Sequence, residues 1–426
     1  MIKNRSLLTL ILLIFYELCY FLLIPVLLLL SKTSKKLTKQ LRQRSVTQQQ
    51  ITKIEDIRSR YQKSVVFHCS SAGEYEQVKP LVDNLLQEGS VYVHIFFLSY
   101  SGLDFASIKD EKASISICPH DFRRNWDKIL SAAQPDLAIV VRYELWPGFL
   151  YTAQEHSPLW LINYNKNSNS NLSKLVQKPL LRFFSKIYTL NQVPENNPKY
   201  VHSGDTKFDR AYYNFANRQT VDSQLRVDFS GYTRRKTLIG GSVWLEDVKV
   251  IFAAYNLLSK PEKKQTNIIL VPHDLSEENI QNLTIESVKA GIPVQVYLDE
   301  GQKINQATQV IIVNMMGKLA EIYSYGTLAF VGGAFHHKVH NILEPATFNL
   351  PIAFGPSYQS QAEAEQLIGE KLAISVTNST ELSKWWINNL EKDKTGPNNE
   401  ESNLKRFSGS SIRIQSDIQE LLCKQK

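Results

Sequence analysis

The chain has 426 residues, of which 43% are hydrophobic, and this size suits two or three domains rather than one. Eighteen glycines and 16 prolines exclude collagen-like and low-complexity classes. The four cysteines have no CxxC spacing, which argues against a disulfide framework and a cysteine zinc site. The net charge of +8 suits an anionic partner, whether a membrane surface, a phosphate or a nucleic acid.

The N-terminal segment predicts a membrane anchor. The apolar run from Leu7 to Leu30 is interrupted only by Glu17 and Pro25, and about 20 such residues cross a bilayer. A cleavable signal peptide is the alternative, but its apolar region is only about 7–15 residues long and ends at a small-residue cleavage site. We therefore expect residues 1–30 to be a single-pass anchor. Within it, Glu17 is either neutral or paired, or marks an interfacial helix.

The charges that flank this run predict its orientation. Only Lys3 and Arg5 precede it, and no acidic residue interrupts the basic residues that follow. These are Lys32, Lys35, Lys36, Lys39, Arg42 and Arg44. Positive charge stays on the cytoplasmic side, so the body of the protein should lie at the cytoplasmic face of the cell inner membrane. The basic segment should also attract the anionic lipids of that membrane.

Strands and helices alternate along the rest of the chain. The predicted strands lie at 65–69, 91–98, 137–141, 237–240, 267–271, 293–297, 309–313, 328–331 and 350–354. The predicted helices lie at about 78–88, 122–133, 246–258, 276–289, 316–325, 341–348, 360–369 and 403–424. Continuous apolar strands that alternate with helices indicate parallel sheets covered on both faces, the α/β class.

Two polar stretches predict the domain limits. The stretch 211–235 is the expected linker, and Lys392 to Glu401 is a second break. We therefore divide the chain into an anchor (1–30), a first Rossmann-like domain (31–225), a second one (226–395) and a C-terminal helix (396–426). Ligands of such domains bind at the carboxyl ends of the strands.

The loop after the first strand, Ser70 to Glu74, is small and enters a helix. Glu74 is a candidate general base there, and the alternative is a helix cap, because acidic residues are common in a first turn. The loop Arg142 to Pro147 suits substrate binding or is an ordinary solvated loop. The loop Gly204 to Arg210 places Lys207 between a glycine and acidic residues, as a phosphate-binding segment or as a simple turn.

Gly332 and Gly333 follow an apolar strand and precede a predicted helix. Their backbone N–H groups and the helix dipole favour a phosphate or nucleotide site. Three histidines nearby, His336, His337 and His340, suggest zinc, but no metal-binding spacing accompanies them. The absence of a GxGxxG after the first strand and of a Walker A segment argues against dehydrogenases and P-loop ATPases.

Taken together, these segments resemble one family, the 3-deoxy-D-manno-octulosonic acid (Kdo) transferases of lipopolysaccharide synthesis. The matching segments occur in the family's order over almost the whole chain. They are His68 to Glu74, Tyr143 to Pro147, Gly204 to Asp209, Leu270 to His273, Met316 to Leu319, Phe330 to Gly333, His340 to Ala346 and Phe354 to Pro356.

The resemblance implies a GT-B fold, in which two Rossmann-like domains face each other across a cleft, and inverting transfer of Kdo from CMP-Kdo to the lipid A precursor, lipid IVA. It implies that Glu74 is the general base and that Lys207 stabilises the leaving phosphate. It also implies a set of CMP-Kdo-binding residues. These are Pro272, His273, Met316, Gly317, Lys318, Asn341, Ile342, Leu343 and Glu344. Neither a cofactor, a metal nor a nucleic acid is expected.

The sequence departs from the family pattern at three places. Arg142 replaces an acidic residue to which the family gives transition-state support, so a cation there would instead contact a donor anion. His273 replaces an arginine and lacks its permanent charge and planar fork. The segment after Asn163 lacks the family's Asn-Ala-Arg. Another membrane-associated GT-B enzyme with a different nucleotide sugar, or a non-catalytic lipid or nucleotide binder, therefore stays open as an alternative.

Overall fold

The computed structural model describes residues 7–30, 44, 46–105, 110–142, 145–166, 177–192, 197–217, 224–305, 307–359, 361–390 and 402–424. The chain forms two compact units. The first comprises Met1–Arg210 and Phe407–Lys426, and the second comprises Ala211–Arg406.

The first unit is built on a parallel sheet of seven strands. Its strands are β1 (Lys63–Cys69), β2 (Val91–Phe97), β3 (Ala113–Ile117), β4 (Leu137–Val141), β5 (Leu159–Tyr164), β6 (Lys186–Thr189) and β7 (Tyr200–His202). Its helices are α1 (Leu7–Leu30), α2 (Gln48–Arg58), α3 (Ala72–Gln87), α4 (Tyr100–Phe105), α5 (Arg123–Ala133), α6 (Pro147–His156) and α7 (Thr206–Ala216), which runs on into the second unit. The strand order is β3-β2-β1-β4-β5-β6-β7.

Both faces of this sheet are buried, which explains the continuous apolar runs in central strands such as β4. Val66 and Ala138 belong to the core cluster on one face, and their chain neighbours Val65 and Leu137 belong to the cluster on the other. Register agrees with this alternation, because Val65 lies opposite Leu137 and Val66 lies opposite Ala138.

The second unit repeats the architecture with its own seven parallel strands. They are β8 (Lys236–Val243), β9 (Thr266–Pro272), β10 (Val294–Tyr297), β11 (Val310–Val313), β12 (Leu328–Val331), β13 (Ile352–Phe354) and β14 (Ala373–Ser375), in the order β10-β11-β9-β8-β12-β13-β14. Its helices are α8 (Gln224–Phe229), α9 (Leu245–Asn256), α10 (Lys260–Gln265), α11 (Glu277–Lys289), α12 (Leu319–Tyr323), α13 (Leu343–Thr347), α14 (Ala362–Gly369) and α15 (Ser379–Leu390).

The last helix, α16 (Ser410–Lys424), packs on the first unit. Ile414, Ile418 and Leu422 lie on one helical face and share a buried cluster with side chains of α3. The start of α16 is fixed by Asp209, whose carboxylate accepts backbone N–H groups from Gly409 and Ser411. The chain thus returns to the unit in which it began.

The predicted α/β class with two parallel sheets is confirmed. The predicted linker, 211–235, begins at the boundary between the two units and carries part of α7, all of α8 and a 3-10 turn at Tyr232–Arg234, held by the buried Leu225 and Phe229. One detail of the prediction is wrong. The final helix begins at Ser410 rather than 403, because Gly409 has φ 115°, which is not a helical conformation. The break at Lys392 to Glu401 lies outside the described residues.

One described helix, the span Thr9–Leu29 within α1, is long and apolar enough to cross a membrane. The predicted anchor helix therefore exists as a helix. The basic segment after it lies outside the described residues except for Arg44, whose guanidinium donates to the carbonyl of Leu98 at 2.9 Å.

Candidate functional site

The strand order of the first unit places the predicted loops beside its switch point. β1 and β4 are neighbours in the sheet, although β2 and β3 lie between them in the chain. The helices that follow them, α3 and α6, pack on opposite faces of the sheet. The loop Ser70 to Glu74 leaves β1, and Arg142 follows β4 directly. A crevice at such a point is where open parallel sheets bind ligands.

Glu74 lies in the first turn of α3. Its carboxylate Oε2 accepts the backbone N–H of Ser70 at 2.5 Å, while the side chain of the N-cap residue Ser71 accepts the N–H of Glu74 at 3.4 Å. This is a local capping arrangement, the alternative that the sequence left open. The bond to Ser70 occupies one of about four acceptor positions of a carboxylate, so capping does not use up its acceptor capacity.

Gln77, one turn further along α3, joins the candidate groups to one another. Its side-chain oxygen accepts from Nε of Arg142 at 2.7 Å and from Nδ2 of Asn163 at 3.2 Å. The guanidinium of Arg142 also lies 3.8 Å from Asp205. Asn163 in turn donates to the hydroxyl of Thr206 at 2.7 Å. Helix α3, the ends of β4 and β5 and the start of α7 are therefore joined by one polar network.

Two residues of this network have strained backbones. Arg142 has φ 64° and Asn163 has φ 58°, both in the left-handed region that side chains other than glycine rarely adopt. Such conformations cost of order 1–3 kcal/mol and persist where surrounding contacts hold them, which is often at functional sites. Here the hydrogen bonds to Gln77 supply those contacts.

Lys207 lies in the first turn of α7. Its backbone N–H donates to Asp205 at 2.9 Å, and its side chain is partly buried. Lys207 directly follows Thr206, which belongs to the polar network. The segment Gly204 to Arg210 is thus a helix start rather than a simple turn. Its last residue, Arg210, donates to Glu76 of α3 at 2.7 Å, which again joins α7 to the helix that carries Glu74.

The segment Tyr143 to Pro147 is only partly visible, because Tyr143 and Glu144 lie outside the described residues. Leu145 and Trp146 pack against the core, and Pro147 begins α6. The carboxylate of Asp121 accepts the N–H groups of Gly148 and Phe149, both at 2.9 Å, and so fixes this helix start.

In the second unit, β8 and β12 flank the corresponding switch point. The prediction that Gly332 and Gly333 open a helix with free N–H groups is wrong. The N–H of Gly332 donates to the carbonyl of Gly241 at 2.9 Å, and the N–H of Gly333 donates to the buried carboxylate of Asp247 at 2.8 Å. The next helix, α13, starts only at Leu343. These glycines serve close packing instead, since a Cβ on Gly332 would lie 2.4 Å from the carbonyl oxygen of Ser242.

An aromatic cluster of Trp244 and three histidines occupies the ends of β8, β9 and β12. The indole ring lies 4.6 Å from the ring of His336 and 4.8 Å from that of His273, which stacks on His340 at 4.3 Å. Nε1 of Trp244 donates to Nε2 of His340 at 3.2 Å, and burial lowers the pKa of His340 to about 4. No group of three potential metal ligands occurs among the described residues, so the zinc alternative gains no support.

The other predicted CMP-Kdo residues lie in one loop and at the start of α13. In the loop, Met316 is exposed and Gly317 has φ 77°, while Nζ of Lys318 donates to Glu300 at 2.6 Å. At the start of α13, Nδ2 of Asn341 donates to Glu344 at 3.0 Å, and burial raises the pKa of Glu344. Ile342 and Leu343 are buried, which fixes the backbone on which Asn341 and Glu344 stand.

Two residues of these sites, Gln77 and Trp244, were not predicted from the sequence. Gln77 appeared as an ordinary helix residue, and only the sheet order reveals that its face meets Arg142 and Asn163. Trp244 directly follows β8, and ligand-binding residues of parallel sheets commonly lie directly after the strands, so its position could have been predicted from the sequence.

Comparison with known proteins relates the sequence to one family of transferases. Residues 37–208 match the family described as 3-Deoxy-D-manno-octulosonic-acid transferase (kdotransferase). The chain is 26% identical over 373 residues to the 3-deoxy-D-manno-octulosonic acid transferase of Rickettsia bellii, covering 83% of this chain and 84% of that one. It is 27% identical over 327 residues to the enzyme of the same description from Aquifex aeolicus, covering 74% and 82%.

The fold has relatives among solved structures. A glycosyltransferase from Rickettsia africae superposes with a TM-score of 0.54 at 12% identity, over 85% of this chain and 99% of that one. The fold is therefore of the GT-B type. The sequence is similar, over most of its length, to 3-deoxy-D-manno-octulosonic acid transferases, and the model of that family matches residues 37–208.

Proposed function

We propose that this protein transfers Kdo from CMP-Kdo to the lipid A precursor, lipid IVA, at the cytoplasmic face of the inner membrane. Similarity to that family supports the sugar and the reaction class. The observation that carries the proposal is the network around Gln77, which ties the helix of Glu74, the cation Arg142 and the helix start of Lys207 to one end of the first sheet.

Glu74 is the proposed general base. A sugar hydroxyl is a poor nucleophile near neutral pH, and a carboxylate within hydrogen-bond reach takes its proton as the new C–O bond forms. In the same step, the bond between the Kdo anomeric carbon and the CMP phosphate breaks, with inversion, and CMP leaves with the electron pair. The cap formed by Ser70 and Ser71 orients the carboxylate for this task.

Lys207 and Arg142 are the proposed cations for the negative charges of the donor. Lys207 would stabilise the charge that develops on the leaving phosphate, which fixed cations do at no cost of rearrangement during the reaction. Arg142 is held by Gln77 and lies near Asp205, so its guanidinium is pre-positioned. We assign it to a donor anion, in place of the acidic residue that the family carries there.

In the second unit, we propose that CMP-Kdo contacts Pro272 and His273, the Met316–Lys318 loop and the Asn341–Glu344 segment. The partly buried Glu344 is suited to accept hydrogen bonds from ribose hydroxyls, because one bond from Asn341 leaves acceptor positions on a carboxylate. The ring stack of His273, Trp244 and His340 fixes the edge of this site.

Mass spectrometry of the acceptor tests the proposal. Lipid IVA incubated with CMP-Kdo and the purified protein should gain the mass of one or more Kdo residues, and the number of additions is part of the readout. UDP- and GDP-sugars serve as matched controls. Transfer from one of those donors, with none from CMP-Kdo, would replace the proposal with a different GT-B activity, and binding of CMP-Kdo without transfer would make the protein a binder.

A further inference from the structure

The apolar helix α1 is docked on the first unit along one helical face. Arg182 donates to the hydroxyl of Thr9 at 3.0 Å, Leu13 is buried in the core, and the hydroxyl of Tyr16 donates to Asp121 at 2.9 Å. Tyr20 lies 3.4 Å from Nδ1 of His120. These positions recur at the spacing of one face of a helix.

Glu17 belongs to the same face and caps another helix. The N-cap residue of α5, Phe122, makes no side-chain cap bond of its own, and the first N–H of that helix, from Arg123, donates to Oε1 of Glu17 at 2.5 Å. A carboxylate at a helix N-terminus is favoured by both the free N–H group and the dipole. The acidic residue within the apolar run is therefore paired with the body of the protein and not with another membrane segment.

The opposite face of α1 is exposed and apolar. It carries Leu7, Ile11, Leu12, Ile14, Phe15, Leu18, Phe21, Leu22, Leu23, Val26 and Leu29. Contiguous exposed apolar surfaces of this kind mark sites of interaction with membranes or proteins. The chain that follows α1 is strongly basic, with six Lys or Arg and no acidic residue between Lys32 and Arg44. An apolar face next to a basic segment suits an anionic phospholipid surface.

The docked length leaves too little helix to span a bilayer. The stretch from Thr9 to Tyr20, about 18 Å long at the helical rise of 1.5 Å per residue, packs on the first unit beside the exposed Arg182 and the partly exposed Arg123. These charged side chains cannot enter the hydrocarbon without a large cost. From Phe21 to Leu30 only about 15 Å remains, half of the roughly 30 Å hydrocarbon core.

We infer that α1 is an in-plane anchor: it stays docked on the first unit, and its outer face enters one leaflet of an anionic bilayer without crossing it. This departs from the single-pass anchor that the sequence predicts. It does not depend on the reaction proposed above, because the contacts of α1 involve neither Glu74 nor Lys207.

Cysteine labelling of the full-length protein tests the topology. Cys19→Ser removes the exposed thiol of α1, Cys69 and Cys118 are buried, and Cys423 reports the side of the body. A second reporter is introduced as Ile2→Cys. In sealed membrane vesicles, a membrane-impermeant maleimide should label Ile2→Cys and Cys423 from the same side. Labelling of the two positions from opposite sides would show a spanning helix and overturn the inference.

Two neighbouring substitutions then separate the docked face from the lipid face. Glu17→Leu makes the run more apolar but uncaps α5, so the melting temperature of the detergent-solubilised protein should fall by a few degrees. Leu18→Glu should leave the melting temperature unchanged and weaken binding to vesicles of phosphatidylethanolamine and phosphatidylglycerol. An unchanged melting temperature for Glu17→Leu would mean that the helix is not docked.

A second copy of the chain is the alternative occupant of this face, and a photo-cross-linker distinguishes it from phospholipid. A benzophenone side chain in place of Leu22, which is 63% exposed on the outer face, should cross-link to phospholipid. A cross-linked protein dimer as the main product would assign this face to a second copy and overturn the proposal.

Discussion

Gln77 is the residue at which the polar groups of the first unit meet, and nothing in the sequence marks it. Glu74, Arg142 and Lys207 could be selected from sequence because each follows a strand or starts a helix, where parallel folds gather their chemistry. Gln77 lies on the inner face of α3, and its partners come from the ends of β4 and β5. Such a meeting depends on strand order, which local sequence does not encode.

Lys207→Ala tests the role of that cation. If Lys207 acts on charge that develops in the transition state, transfer should slow by about 10²–10³-fold while the affinity for CMP changes little. Lys207→Arg should retain part of the rate. Single-turnover rates and CMP titration measure the two effects.

Lys79→Ala is the matched control, because Lys79 pairs with Asp83 on the surface of α3. It should leave the rate unchanged. An equal loss of rate in both variants, or no loss in Lys207→Ala, would show that Lys207 has only a structural role at the start of α7.

At the scale of elements, most strands with a continuous apolar run were predictable, including the short β12 and β13, whereas β3, β6, β7 and β14 were not. β1, β2 and β4 are continuous apolar runs, whereas β3 alternates Ala-Ser-Ile-Ser-Ile and β7 has only three residues. β5, Leu159–Tyr164, is largely apolar but is not among the predicted strands. Short or alternating segments gain their strand conformation from pairing with neighbours, so their own pattern is weak.

Asp209→Ala tests how the last helix is held on the first unit. The carboxylate accepts N–H groups at the start of α16, and loss of such a cap costs about 0.5–2 kcal/mol. We expect a lower free energy of unfolding and faster hydrogen exchange in α16. Asp83→Ala, which removes a surface carboxylate of α3, should alter neither. An α16 that stays protected in Asp209→Ala would show that apolar packing alone holds it.

Two buried histidines on β1 and β2 predict acid sensitivity. Burial lowers the pKa of His68 to about 4 and that of His94 to about 3, below the value of about 6.5 in the unfolded chain. Below pH 6.5 the unfolded state therefore binds more protons, and stability falls as pH falls. The slope approaches about 1.4 kcal/mol per pH unit for each histidine.

Denaturation at pH 7.5 and pH 5 measures this effect, with His68→Phe as the test variant. The ring of His68 packs 4.7 Å from that of Phe149, so an aromatic replacement suits the site. The variant should lose part of the pH dependence. A pH dependence identical to that of the wild-type protein would contradict the assignment.

For the whole molecule, the α/β class and the similarity to one family could be predicted because they depend on alternation and on ordered motifs. The strand orders could not, since β1 pairs with β4 and β8 pairs with β12 across long intervals of chain. Likewise, only the tertiary structure shows that the N–H groups of Gly332 and Gly333 are already bonded and that α1 has a docked face.

Nucleotide-dependent stability tests the choice of donor for the protein as a whole. A ligand that binds only the folded state raises stability by about 2.7 kcal/mol at one hundred times its Kd. CMP should therefore raise the melting temperature of the wild-type protein, and UDP at the same concentration should not. A larger shift with UDP would favour a different nucleotide sugar.

The central claim is that Glu74 removes the proton from the acceptor hydroxyl, and Glu74→Gln tests it most directly. Glutamine keeps the size of the side chain and an oxygen that can accept the N–H of Ser70, but it is not a base. The single-turnover rate of Kdo transfer and the melting temperature are measured on the same full-length preparation. We predict a folded protein that still binds CMP and whose transfer rate is lower by roughly 10²–10⁴-fold. A variant with wild-type turnover and a slightly lower melting temperature would show that Glu74 is only a helix cap and would contradict the mechanism.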